Sequence, residues 1–185
     1  MSVDVMIRPA TAADAEACAA IYAPYVLDTS ISFEEVPPDP ERMRARMAEC
    51  QRNHEWLIAE HESEVIGYAY GHAFAERAAY RWSCETSIYV ALDRRGMGVG
   101  RLLYGELLPR LAASGYRRAF AGVTLPNEPS LALHRAFGYE DAGCYRRVGW
   151  KQGRWHDVAW LQRDLVADEV DPPRDPRPMS ARYAG

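Results

Sequence analysis

Ile88-Tyr-Val-Ala-Leu-Asp-Arg-Arg-Gly-Met-Gly-Val-Gly100 is the stretch on which the reading of this chain turns. Ile88, Tyr89 and Val90 are β-branched or aromatic and read as the end of a strand. Gly96, Gly98 and Gly100 follow at every second position, and a helical pattern runs from about Gly98 to Ser114. Glycine lets a backbone approach a ligand closely. A helix N-terminus presents unpaired N–H groups that suit an anion. Arg94, Arg95 and Arg101 add positive charge. The segment therefore predicts a cradle for a pyrophosphate. A dinucleotide fingerprint would need G-x-G-x-x-G in an opening βαβ unit, and this segment has another spacing and sits mid-chain. A Walker loop is excluded because no Gly-Lys-Ser/Thr follows.

Outward from the cradle, Cys84–Val90 reads as the strand that feeds it. Before it, Trp56–Ile58 and Val65–Tyr70 read as a hairpin turning around Glu62–Glu64, and Phe74–Trp82 as an irregular aromatic and basic loop. Further back, Val5–Arg8 is a short strand, and Thr11 with Asp14 suggests a capping box. Ala17, Cys18, Ile21, Tyr22, Tyr25 and Val26 then recur at helical spacing. A second helix starts at Asp39-Pro40, with Met43, Met47 and Cys50 as its buried stripe. After the cradle, Leu102, Leu103, Leu107 and Leu111 predict the apolar face of the helix, which Gly115 ends. Pro109 conflicts with that helix, since proline removes a hydrogen bond from a helix interior. Arg118–Leu125 is a strand, Pro129–Phe137 a short helix, and Gly143–Val148 with Trp155–Leu161 a closing hairpin. The order predicts a mixed α/β sheet with helices on both faces. One domain over residues 1–166 and a mobile Pro-rich tail over 167–185 are expected.

The chain has 185 residues, 48% hydrophobic and 26% charged, and a net charge of −4. That composition fits one globular domain and gives no basic footprint for nucleic acid. No apolar run approaches the ~20 residues that span a bilayer. Cys18, Cys50, Cys84 and Cys144 are far apart and predict buried thiols, with neither a disulfide frame nor a metal site.

At Arg95, Gly98 and Gly100 the chain resembles the GNAT acyltransferase superfamily, whose loop reads Gln/Arg-x-x-Gly-x-Gly/Ala. Closer matches lie in Ile7–Asp14, Tyr80–Val90, Leu125-Pro-Asn-Glu-Pro-Ser130, Gly153-Arg-Trp-His-Asp-Val158 and the pair Arg163-Asp164. Together they resemble the phosphinothricin/methionine sulfoximine N-acetyltransferase subfamily over about residues 5–165. The resemblance implies the GNAT fold and acetyl-CoA as co-substrate, without a metal. It implies that the amides of Arg95, Gly96, Met97, Gly98, Val99, Gly100 and Arg101 hold the pyrophosphate, that Ile88, Tyr89, Val90 and Asn127 hold the pantetheine arm, and that Ser130 binds the cofactor from the short helix flanking it. The strand after the cradle helix is expected to splay away and leave a gap for the thioester.

Acetylation of an ammonium needs a base. Glu85 is that candidate, as partial burial would raise its carboxyl toward neutrality. His134 stands where many family members place a tyrosine acid, and it is open between acid, base and partner of Glu85. The amide of Tyr89 or Val90 is expected to face the oxyanion. Phe33, Arg77, Tyr80 and Trp82 are the acceptor-side candidates, Arg77 as a fork for an anionic group. His54, His61 and His72 carry no spacing signal. The expected reaction is direct acetyl transfer to a small amino-acid-like amine in the cytoplasm, by a homodimer with no nucleic-acid or membrane partner. Another amine, a peptide N-terminus, or a CoA-binding sensor without turnover are the alternatives.

Overall fold

A computed structural model of the chain describes residues 4–167 and 173–178. The elements are β1 (Met6–Pro9), α1 (Ala15–Leu27), α2 (Pro40–Cys50), β2 (Trp56–His61), β3 (Glu64–Ala73), β4 (Ser83–Val90), α3 (Val99–Ala113), β5 (Arg118–Thr124), α4 (Glu128–Ala136), β6 (Glu140–Lys151) and β7 (Arg154–Asp164). Seven strands form one sheet in the order β1-β2-β3-β4-β5-β7-β6. Neighbours are antiparallel except β4 and β5, which are parallel.

The period-2 alternation of the strands divides the core between two faces. Trp56, Ile58 and Tyr68 pack with Tyr22, Tyr25, Met43 and Met47 under α1 and α2. Leu57, Ala59, Ala69 and Cys84 pack with Leu103, Leu107 and Leu111 under α3. α3 sits close on β3 because Gly71 has no side chain: a Cβ there would lie 2.9 Å from Leu111 Cδ2. The α1 start is tied to β1 by Arg8, whose guanidinium forks onto Asp14 at 2.7 and 2.9 Å and reaches Glu60 at 2.8 Å. Thr11 N–H donates to Asp14 Oδ2 at 2.7 Å, as the capping box predicts. Asp39 caps α2 through Arg42 N–H, and Pro40 opens it.

Three expectations change. Leu102 is 42% exposed, and Tyr104 and Leu108 take its place on the buried face of α3. Leu102 and Leu103 point in different directions because consecutive helical residues are about 100° apart. Cys144 is exposed, since it lies on the outermost strand β6, whereas Cys18, Cys50 and Cys84 are buried. Pro109 does not end α3. The carbonyl it leaves without a donor belongs to Gly105, which is exposed and open to water.

Of the stretch expected as a tail, residues 173–178 lie against the domain. Arg177 donates from its backbone to Ser114 O at 2.8 Å and from its guanidinium to Ala113 O at 3.0 Å. Arg81 pairs with Asp175 at 2.7 Å.

Candidate active site

The sheet opens at its centre. β4 and β5 pair only over Ser83–Glu85 and Arg118–Phe120, and each then continues without the other, to Val90 and to Thr124. The backbone groups that face the opening follow from the register with β3. Ala91 N–H donates to Ile66 O, and paired and unpaired residues alternate along an antiparallel strand. The amides of Glu85, Ser87 and Tyr89 therefore join β3, that of Thr86 closes the last rung to β5 at Phe120, and those of Ile88 and Val90 face the gap. Of the two amides expected to face the oxyanion, that of Tyr89 is spent on the ladder, and that of Val90, like that of Ile88, is directed into the gap. Val90 O accepts from Tyr25 Oη at 2.5 Å.

At one end of the gap a cleft of about 570 Å³ is lined by Ile88, Val90, Arg95, Gly96, Gly98, Gly100, Arg101, Asn127 and Ser130. Val99 belongs to the same lining. Met97 does not; it packs against the core on the α3 side. Gly98 precedes α3 at φ +79°, left-handed backbone that any side chain would strain. No atom lies within 4 Å of where a Cβ at Gly98 would point. The unpaired N–H groups of the first turn of α3 meet Arg95 and Arg101 here, so the residues present suit a pyrophosphate. Asn127 caps α4 by accepting from Ser130 N–H at 3.3 Å.

Alternation along β4 then separates two chemistries. Thr86 faces α3 and α4, where a chain of polar groups is buried. Tyr139 Oη and Thr86 Oγ1 are 2.8 Å apart, and Tyr104 Oη lies 2.9 Å from His134 Nε2. His134 Nδ1 lies 2.7 Å from Ser130 O, which accepts its proton. Nε2 is then the acceptor from Tyr104. Burial pushes the imidazole below its ordinary value, against the raising effect of the Ser130 carbonyl, which favours the neutral form. His134, Tyr104 and Thr86 border a small cavity of about 60 Å³ inside the gap.

Glu85, Ser87 and Tyr89 face the other way, toward α1 and α2. His134 and Glu85 thus belong to opposite faces of β4, and the pairing of the two left open by the sequence does not form. Glu85 lines a cleft of about 510 Å³ with Phe33, Ser32, Tyr145, Val148 and Trp160. Burial raises its carboxyl above the ordinary value, opposed by His72. Lys151 holds the cleft's two sides together by donating to Val26 O and Ser32 O, each at 2.6 Å. Phe33 lies so close over Gly149 that a Cβ there would fall 2.4 Å from its ring.

The family described as "Acetyltransferase (GNAT) domain" matches residues 7–160. The chain belongs to the GNAT acetyltransferase family. It is 39% identical to a phosphinothricin N-acetyltransferase of Streptomyces viridochromogenes, over 95% of each chain. It is 34% identical to an L-methionine sulfoximine/L-methionine sulfone acetyltransferase of Pseudomonas paraeruginosa, over 86% of this chain and 94% of that one. A GNAT phosphinothricin acetyltransferase from Sinorhizobium meliloti, solved in complex with AcCoA, superposes with a TM-score of 0.87 at 37% identity, covering 94% of this chain and 96% of that one.

Within the GNAT fold, the acceptor candidates divide. Phe33 lines the cleft beside Glu85. Arg77, Tyr80 and Trp82 are not brought to it, because the loop after β3 folds back toward the C-terminal segment. Tyr80 packs edge-on to Phe74 at 5.6 Å, and Trp82 Nε1 donates to Arg174 O at 2.9 Å. Arg77 is exposed outside the cleft. Sequence reasoning missed Tyr104, which reads as one more apolar residue of α3, and His72, which stands opposite Glu85 on β3. The helical spacing of Tyr104 carries no sign that its hydroxyl reaches α4. The described residues contain no His/Cys/Asp/Glu group able to hold a metal.

Proposed function

We propose that this enzyme transfers the acetyl group of acetyl-CoA directly to the amino group of a small amino-acid-like acceptor of the phosphinothricin or methionine sulfoximine type. The observation that carries the reading is the parting of β4 and β5 just past the Glu85–Phe120 rung. The gap joins an anion cradle to a cleft in which a half-buried carboxylate waits, so a thioester laid along β4 meets an amine beside Glu85. The relatives named above support this acceptor class.

In the proposed reaction Glu85 takes a proton from the acceptor ammonium, and its raised pKa suits a base working near neutrality. The freed amine attacks the thioester carbonyl, whose developing oxyanion faces the amides of Ile88 and Val90. As the tetrahedral adduct collapses, the C–S bond breaks and the proton lost by the new amide nitrogen is taken up by the departing CoA thiolate; Tyr104 and His134 border this end of the gap, where the imidazole fixes the Tyr104 hydroxyl. An acyl-cysteine route is disfavoured, because burial pushes the Cys84 thiol up to about 12 and leaves no thiolate.

The reaction belongs in the cytoplasm, where acetyl-CoA is available. A homodimer is part of the proposal: Tyr145, Val148, Trp150 and Trp155 are 48–59% exposed on the β6–β7 hairpin, more apolar surface than one small sheet edge ordinarily shows to water.

The test is CoA thiol release with L-phosphinothricin, L-methionine sulfoximine and a panel of amino acids, polyamines and alanine-ended peptides. Release with the first two, lowered about 100-fold or more in Glu85→Gln, is expected. Release only with another amine would reassign the acceptor. Acetyl-CoA binding with silence across the panel would favour a sensor.

A further inference from the structure

Glu85 has a neighbour that the proposed mechanism has not used. His72 Nε2 lies 4.0 Å from Glu85 Oε1. The two are direct cross-strand partners on β3 and β4, in a hydrogen-bonded rung that holds their side chains on the same face. They look into different spaces. Glu85 borders the acceptor cleft. His72 borders a separate cavity of about 760 Å³ between α2 and β3, and its side chain is 37% exposed.

A base that takes a proton at each turnover must lose it before the next. The acceptor cleft is a poor exit while acceptor and thioester fill it. We propose that His72 is a positioning residue for Glu85, which holds the carboxylate charged and carries its proton out through the cavity behind α2. The inference rests on the reading of Glu85 as the base. The balance is simple. The ammonium gives a proton to Glu85, Glu85 passes it to His72 Nε2, and the imidazolium releases it to water in the wider cavity. The separation is within ion-pair range.

The other charged groups around the pair leave this role to His72. From α2, Arg46 faces the cavity but is held by Glu34 of the preceding loop in a fork of 2.7 and 2.8 Å. Glu49, also on α2, pairs with Arg52 at 2.8 Å. His54, after α2, is stacked on Tyr116 at 4.9 Å. Around the pair on α1, β3 and β4, the phenols of Tyr22, Tyr68, Tyr70 and Tyr89 are raised by burial, and the Cys50 thiol is pushed up to about 12. None of these phenols, nor the Cys50 thiol, changes charge between about pH 5 and 8. On the cleft side the Tyr145 phenol of β6 is the remaining titratable group.

The sign is fixed by the charges. A protonated His72 favours the Glu85 carboxylate, so its loss raises the Glu85 pKa and moves the acid limb of kcat/KM to higher pH. The experiment compares His72→Gln, His72→Ala and Glu85→Gln with the wild type in thiol release, using the acceptor that turns over best. In His72→Gln the acid limb is expected to rise by about half to one pH unit, and kcat at pH 6.5 to fall several-fold, with the KM for acetyl-CoA unchanged. Added imidazole is expected to restore much of kcat to His72→Ala and none to Glu85→Gln. A mere packing role for His72 would give neither the shifted limb nor the rescue. Wild-type pH profiles in both His72 variants, with Glu85→Gln inactive, would overturn the relay and leave the base in place. A fully active Glu85→Gln would overturn the base and the relay together.

Discussion

Gly98 concentrates two demands in one position. Its φ of +79° belongs to glycine, and the direction a Cβ would take is open toward the cleft. Gly98→Ala is expected to cost about 1 kcal/mol of stability from backbone strain. It should also weaken acetyl-CoA binding about tenfold or more, because the methyl stands where the phosphates approach. Thermal melting and titration calorimetry read the two effects separately. At this scale the sequence is most legible where chemistry depends on residue type in a fixed local order: Gly96, Gly98, Gly100 and Arg95 meet in one cleft as their spacing predicts. His72 shows the opposite case. Its place opposite Glu85 depends on the β3–β4 register and on the length of the loop after Ala73, and neither leaves a mark near His72 itself. Arg77 and Trp82 show a third case, where residue type fits a role but the loop's path directs the side chains elsewhere.

Elements are legible where caps and periods agree. Asp39-Pro40 opens α2 and Met43, Met47 and Cys50 line its buried face, as their spacing predicts, whereas the apolar runs of β2 and β3 are buried on both faces and do not tell one face from the other. The Arg8–Asp14 fork is invisible to such reading, although it sets where α1 leaves the sheet. Burial alone would raise the Asp14 carboxyl, but the bonds from Arg8 and Thr11 outweigh it and hold it below the ordinary value. Stability from this group is full above the unfolded value near 3.9 and is lost as pH falls through the lower folded value. Asp14→Asn is expected to cost about 2 kcal/mol at pH 7, since it leaves Arg8 short of a partner in a half-buried site. The difference from wild type should narrow below about pH 4. Urea denaturation at several pH values checks both statements.

Across the whole molecule, the order of strands and the opening at the parallel pair agree with the expected GNAT architecture. Two features escape a reading of one sequence: the contact of residues 173–178 with the end of α3, and any surface meant for a second copy. Trp150 and Trp155 meet edge-to-face at 5.4 Å while both stay about half exposed. Sedimentation is expected to show a dimer, and Trp150→Asp to shift it toward monomer through one desolvated charge per protomer. A wild-type monomer at tens of micromolar would remove the dimer from the proposal.

The three-rung seam between β4 and β5 has a mechanical consequence. On one side, β1 to β4 form an antiparallel leaf; on the other, β5, β7 and β6 form a second. Apart from the helices, those few rungs are the spine between them, and beyond the spine the leaves stand apart like a book left ajar. A nucleotide tail anchored at the α3 turn, with its arm laid along the free edge of β4, acts as a splint across that opening. The enzyme would then be stiffest in the moment of catalysis and loosest between turnovers, when the spent thiol has to leave.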